Sequence, residues 1–154
     1  CSTEQIRCGL ENMKPVHRRL EPLTAPFGAR LIDDTYNANP ASVQAAIGVL
    51  AAQSGSRVLV LGDMAELGKN ARTFHQAAGR HARESGIEHL LTTGELARSA
   101  AEEFGSRASH FEEQGSLIDA LREHLAPEST VLVKGSLSSH MENVVDALKQ
   151  PRAV

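Results

Sequence analysis

From residue 41 onward the apolar positions of this chain alternate between two rhythms. Residues 41–52 place Val43, Ala46, Ile47, Leu50 and Ala51 at helical spacing. Residues 57–61 (RVLVL) form a short apolar run closed by Gly62, which predicts a buried strand. The alternation then repeats. A helix is predicted over 71–84, with Phe74, Ala77, Ala78, His81 and Ala82 on one stripe and Gly86 as its stop. Strands are predicted at 88–92, 110–111 and 130–133. Helices are predicted at 95–104 and 116–125 and in a last segment lined by Met141, Val144, Val145 and Leu148. Strands alternating with crossover helices imply a mostly parallel sheet with helices on both faces, Rossmann-like in its alternation.

The first forty residues follow other rules. Residues 3–10 predict a short helix with Ile6 and Leu10 on one face, and 11–15 read as a linker. Residues 20–23 and 30–32 flank Pro22, Pro26 and Gly28, which predicts a pair of short strands joined by a turn, an antiparallel element near the N-terminus. Leu31-Ile32 then runs into Asp33-Asp34-Thr35-Tyr36-Asn37-Ala38-Asn39-Pro40. Asn39 suits a helix cap, and Pro40 suits the first helical position, where a missing N–H costs nothing.

Composition narrows the function classes. Aromatics make up 3 % of the chain and Trp is absent, so stacking platforms for single-stranded nucleic acid are not expected. The 16 basic and 19 acidic residues leave a net charge of −3, which argues against a general polyanion binder. Cys1 and Cys8 form neither a CxxC pair nor a disulfide framework, so a reducing cytoplasm is expected. The longest apolar run, 45–52, is too short to span a bilayer. No secretory signal opens the chain. It does not begin with Met, which reads as a processed piece or an excised domain.

The familiar catalytic signatures are missing. Between Gly62 and Lys69 the glycines stand one residue too far apart for a P-loop, and Asn70 occupies the magnesium-binding hydroxyl position. No GxGxxG follows a strand, and no GxSxG elbow is present. The seven histidines contain no HxxxH pair, so a helical zinc site has no support; most read as surface groups, and His81 as partly packed. What remains is a set of polar strand ends: Asp33-Asp34, Gly62-Asp63-Met64, Thr93-Gly94-Glu95 and Lys134-Gly135-Ser136. In a parallel sheet these four ends share one edge, where open α/β sheets bind ligands. Turn chemistry alone explains Gly and Asp at any one of them. Together they suit polar recognition. Asp34 can accept from a hydroxyl or an amine, Asn37 and Asn39 can donate and accept, and Lys134, before a helix expected to start at Ser138, suits a carboxylate or phosphate. No nucleophile stands with its base, so the chain reads as a binding wall.

Three segments, DDTYNANP (33–40), RVLVLGDMAELG (57–68) and LVKGS (132–136), resemble in order and spacing the C-terminal domain of the Mur ligases. The resemblance covers residues 15–149, and DxYNANP with GDMxELG resembles the family member that adds a dipeptide. It implies a division into 1–14, the tail of a preceding central domain and hinge; 15–150, the C-terminal domain; and 151–154, a tail. It further implies a cytoplasmic enzyme of peptidoglycan synthesis. ATP phosphorylates the terminal carboxylate of UDP-N-acetylmuramoyl-tripeptide, and the amine of D-alanyl-D-alanine attacks the acyl phosphate. ATP and Mg2+ are held mainly by the central domain, and the partners of this chain are the N-terminal and central domains. The fragment alone is expected to be inactive.

By motif position, Arg19, Asp34, Tyr36, Asn37 and Asn39 are implied to face ATP, while Asp63, Glu66, Lys134 and Ser136 are candidates for the dipeptide side. Asp34, at a strand end, is expected to face ligand and solvent instead of core. Two positions depart from the pattern: Arg18 stands where the family has glycine, and Leu137 where it has arginine. The competing readings are a freestanding ligand-binding or interaction module and a sister amide ligase domain such as that of folylpolyglutamate synthase.

Overall fold

Five of the six strands run parallel, and all six lie in one sheet ordered β1-β2-β6-β3-β4-β5. This computed structural model describes residues 16–149. The helix expected at 3–10, the linker at 11–15, the boundary near residue 14 and the tail 151–154 lie outside the described residues. The strands are β1 (Glu21–Thr24), β2 (Arg30–Asp34), β3 (Arg57–Leu61), β4 (His89–Thr93), β5 (Ala108–Phe111) and β6 (Thr130–Lys134). The helices are α1 (Pro40–Ala51), α2 (Ala71–Glu84), α3 (Arg98–Phe104), α4 (Gln114–Arg122) and α5 (Glu142–Lys149). β1 pairs antiparallel with β2, as the Pro- and Gly-flanked segments predict.

Side chains alternate across the sheet and build two cores. Val58, Val60, Val131 and Val133 face α4 and α5, packing on Leu117, Leu121, Val144, Val145 and Leu148. Leu59, Leu61, Leu90 and Leu132 face α1, α2 and α3, packing on Val43, Ile47, Leu50, Ala78, Ala82 and Phe104. Val43, Ile47 and Leu50 are fully buried, and each such side chain contributes about 1.5–3 kcal/mol of transfer free energy. The chain therefore leaves β2, β3 and β4 toward one face, and β5 and β6 toward the other. Where neighbouring strands send their chains to opposite faces, a crevice opens beyond their carboxyl ends. β6, lying between β2 and β3, makes two such points.

Helix α1 begins as its sequence requires. Asn39 Oδ1 accepts from the Ser42 amide (2.8 Å), Ser42 Oγ accepts from the Asn39 amide (3.0 Å), and Pro40 fills the first turn. Elsewhere tertiary contacts move the expected boundaries. Helix α3 starts at Arg98 instead of 95, because Asp63 Oδ1 accepts the Ala97 amide proton from another strand end (2.7 Å) and residues 95–97 form a turn. The start expected at Ser138 is a short 3-10 turn, Leu137–Ser139, ended by His140 in the left-handed region (φ 49°); the helix follows at Glu142. In α2 the buried stripe is His75, Ala78, Gly79 and Ala82, while Phe74 and Ala77 are exposed. The cause is the crossing with α3: a methyl on Gly79 would run into the Ala100 backbone, so the smallest residues turn inward. His81 is half-buried, as expected of a partly packed histidine.

Two histidines give the fold a pH dependence. Burial, followed by the neighbouring His89 ring 4.4 Å away, holds His124 below the ordinary histidine value. Burial, followed by the Arg98 charge, lowers His110, whose Nδ1 pairs with Thr92 Oγ1. Both are more readily protonated in the unfolded chain. Their contribution is therefore fully present above the ordinary value of 6.5 and is lost as pH falls from there through the depressed folded values. A thermal melt series from pH 7.5 to 5.5 should show a falling Tm, and His124→Gln should flatten the slope. A Tm that rises toward pH 5.5 would contradict the assignment.

Candidate functional site

Parallel register sets Asp34 of β2 beside Lys134 of β6. Alternation turns both toward α1, one step beyond Ile32 and Leu132 on the same face. The Lys134 side chain is 2 % exposed. Its Nζ donates to Asp34 Oδ2 (2.6 Å) and to the Asn37 main-chain carbonyl (2.9 Å). The second Asp34 oxygen, Oδ1, accepts from the Leu20 amide (3.2 Å). One buried ion pair thus joins the segment leading into β1, the end of β2, the DDTYNANP loop and the end of β6. Asp34 is 8 % exposed. The strand-end position suggests a carboxylate facing ligand and solvent; burial against Lys134 corrects that expectation. Asp33 is committed as well, since its Oδ1 accepts from the Thr35 amide and hydroxyl (3.1 and 2.7 Å).

All five residues expected on the nucleotide side, Arg19, Asp34, Tyr36, Asn37 and Asn39, line one cavity of about 350 Å3, together with Leu20, Ser42 and Lys134. The Arg19 guanidinium lies over the Tyr36 ring, 4.4 Å from its centre. Asn39 spends its side-chain oxygen on the helix cap, and Asn37 Oδ1 accepts from the Ala38 amide (2.8 Å). Among the described residues, the chemistry of this cavity without a hydrogen-bond partner is the Arg19 fork over the Tyr36 ring and the side-chain NH2 groups of Asn37 and Asn39.

The four candidates for the other side are divided. Glu66 and Ser136 line an adjoining cavity of about 550 Å3 with Tyr36, Asn37, Ala65, Leu137, Ser138 and His140. Asp63 borders a third cavity of about 290 Å3 with Thr93, Gly94, Glu112, Gln114, Ser138 and Ser139. Lys134 belongs with the first set. All three cavities lie along the carboxyl edge of the sheet. A larger one, about 600 Å3 between Pro26, Phe27 and the end of α4, lies at the opposite edge, away from every motif.

Close approach explains the motif glycines. A methyl on Gly135 would stand 2.5 Å from Met141 Cγ and from Ser139 Oγ, and one on Gly62 would stand 2.8 Å from Met141 Cγ. Gly94 adopts φ +106° with the Asp63 carboxylate packed against it, a position where any L side chain would be strained. Main-chain bonds tie the loops together: Gly62 N–H donates to Lys134 O (2.8 Å), and Ser136 N–H donates to Asp63 O (2.9 Å). Arg18 has φ 61°, the left-handed region that favours glycine, which is the residue the family pattern places there.

His75 was not singled out by sequence. It is fully buried, and its Nε2 accepts from the Met64 amide (2.9 Å) while Nδ1 pairs with Ala71 O (2.7 Å). The spacing 75-78-79-82 is itself a helical stripe, and phasing α2 on its small residues would have put His75 inside. Among the described residues no group of three or more His, Cys, Asp or Glu side chains is placed to hold a metal ion. None of the described helices is long and apolar enough to cross a membrane.

A family model, Mur ligase, glutamate ligase domain, matches residues 18–137. The chain belongs to the Mur ligase family. Within it, the chain is a C-terminal domain of MurF type. It is 41 % identical over 149 residues to the UDP-N-acetylmuramoyl-tripeptide–D-alanyl-D-alanine ligase of Escherichia coli, a match covering 96 % of this chain and 33 % of that protein. The crystal structure of MurF from Acinetobacter baumannii superposes with a TM-score of 0.82 at 35 % identity, over 97 % of this chain and 34 % of that one. MurF from Thermotoga maritima in complex with ADP shares the fold, with a TM-score of 0.81 at 23 % identity, over 90 % of this chain and 32 % of that one. The chain thus spans about a third of the length of the relatives it matches.

Proposed function

We propose that this Mur ligase domain is the closing, dipeptide-side domain of a cytoplasmic ATP-dependent enzyme that joins D-alanyl-D-alanine to UDP-N-acetylmuramoyl-tripeptide, with residues 1–14 leading in from the preceding domain. One observation carries the reading: the three motif segments meet at one sheet edge and line cavities in which, among the described residues, no nucleophile is paired with a base. In the full reaction ATP converts the peptide carboxylate to an acyl phosphate, and the dipeptide amine displaces phosphate. This chain supplies walls to that chemistry, while ATP and Mg2+ are held mainly by the rest of the protein.

The 350 Å3 cavity is the nucleotide lip. Its Arg19 fork, which among the described residues makes no ion pair, suits phosphate or ribose oxygens, and the Tyr36 face backs it. The adjoining 550 Å3 cavity, with Glu66 and Ser136, is the dipeptide side. Leu137 there lacks the guanidinium that would clamp a carboxylate in two-point fashion. Lys134 does not replace it, because its ammonium is already committed to Asp34 and Asn37. Lys134 is better assigned to holding the lip than to the dipeptide.

The test is phosphate release with ATP, UDP-N-acetylmuramoyl-tripeptide and D-alanyl-D-alanine, run on the full-length protein and on this chain alone. The full-length protein should turn over and the fragment should not. Turnover by the fragment, or none by a folded full-length protein, would overturn the proposal.

A further inference from the structure

A strained residue sits in the wall of the larger edge cavity. Glu66 has φ 60°, a left-handed conformation that costs a non-glycine residue about 1–2 kcal/mol. Such strain persists only where the surroundings over-determine the backbone. Two residues earlier the surroundings do so. Gly62, Asp63 and Met64 are held by hydrogen bonds from three other elements: the end of β6, the turn before α3, and α2. The bond from α2 is made by His75. Met64 is fully buried, and its N–H donates to His75 Nε2 at 2.9 Å. The other ring nitrogen lies 2.7 Å from Ala71 O, a main-chain acceptor, so Nδ1 carries the proton and Nε2 presents its lone pair to Met64.

Resting on the functional reading above, we propose that His75 is a positioning residue for the dipeptide: it touches no substrate, but its Nε2 pins Met64 and so holds Ala65 and Glu66 as the wall of the 550 Å3 cavity. Without the acceptor the Met64 N–H is left buried and unpaired, the strained turn at Glu66 loses its anchor, and the loop populates forms that cannot take the dipeptide. Apparent affinity falls by the competent fraction. The nucleotide lip, built on Asp34, Lys134 and Asn37, is anchored separately and is spared.

The test is steady-state kinetics of full-length enzyme carrying His75→Phe or His75→Gln. Phe keeps an aromatic ring, somewhat larger, and removes the acceptor, whereas Gln can set an amide oxygen where Nε2 stood. His75→Phe should raise KM for D-alanyl-D-alanine about tenfold, the effect of one orphaned buried donor of ordinary cost. KM for ATP should stay within about twofold, since the lip has its own anchor, and His75→Gln should recover most of the loss. Unchanged dipeptide KM in His75→Phe, or equal rises in both KM values, would overturn the proposal. If His75→Phe does not fold, His75→Gln is compared with His75→Asn, whose oxygen falls one bond short; equal dipeptide KM values would overturn it. A wild-type protein that ligates no dipeptide overturns the functional reading itself, a result distinct from ligation with unchanged KM in the Phe variant.

Discussion

Lys134→Met should cost this domain about 3–5 kcal/mol of folding stability, the usual consequence of removing one member of a buried ion pair. The substitution leaves Asp34 as an uncompensated carboxylate under α1, and it strips the Asn37 carbonyl of its donor. Asp34→Asn should be costly for the converse reason, because a 2 % exposed ammonium then lacks its counter-charge. The double variant should be less destabilised than the sum of the two, since no lone charge remains buried. The contrast is with the exposed pair Arg72–Glu102, where removing either side chain should cost less than about 1 kcal/mol. Urea denaturation of the wild type and of these variants measures all of this. A loss under about 1 kcal/mol for Lys134→Met would show that the pair is solvated and that the lip is held by something else. Turnover of the full-length enzyme should fall with the same substitutions, because the loop they release carries Tyr36, Asn37 and Asn39. A simple reading of Asp34 as a ligand-facing group would have activity fall with stability intact; the buried pair makes the two fall together.

Gly79→Ala is expected to destabilise the domain although alanine is the better helix former. Propensity alone favours alanine by about 0.5–1 kcal/mol in mid-helix. The added methyl, however, is directed into the Ala100 carbonyl across the α2–α3 crossing. A main-chain oxygen cannot rotate away as a side chain could, so the two helices must separate, which costs about 3 kcal/mol. The net loss of about 2 kcal/mol lowers Tm by about 4–8 °C in a chain of this size. Differential scanning calorimetry decides the matter, and a raised Tm would mean that the crossing is looser than described. The effect should also reach the site. α3 begins next to Ala97, whose amide is held by Asp63, so moving α3 disturbs the loop that follows β3.

The strands and their alternation with helices were legible because their signals are local: RVLVL and TVLV are apolar runs of strand length, closed by glycine or followed by Lys-Gly. The capped start of α1 was legible for the same reason, as Asn39 and Pro40 act on their own neighbours. Convergence of the four polar strand ends followed from parallel topology without any coordinate. Three things depended on contacts distant in sequence and could not be read locally. The facing of α2 was set by Gly79 against Ala100, which outweighed the larger Phe74. The start of α3 was set by a carboxylate 34 residues upstream. The partnership of Lys134 with Asp34 spans 100 positions and arises from β2 and β6 becoming neighbours. That last contact reassigned Lys134 from a ligand group to the anchor of a loop. The family resemblance, in turn, supplies what geometry alone does not: the proposal that one cavity faces a nucleotide and the other a peptide.

Hydrogen exchange on the full-length protein tests the central claim, that this edge is half of a site with a nucleotide side and a dipeptide side. A non-hydrolysable ATP analogue should protect amides of residues 18–20 and 34–39, around the Asp34–Lys134 pair. Adding D-alanyl-D-alanine, with the uridine nucleotide-linked peptide present, should extend protection to 63–67 and 136–140. An analogue that protects neither 18–20 nor 34–39 of this domain, or a dipeptide that protects neither later segment, would contradict the account.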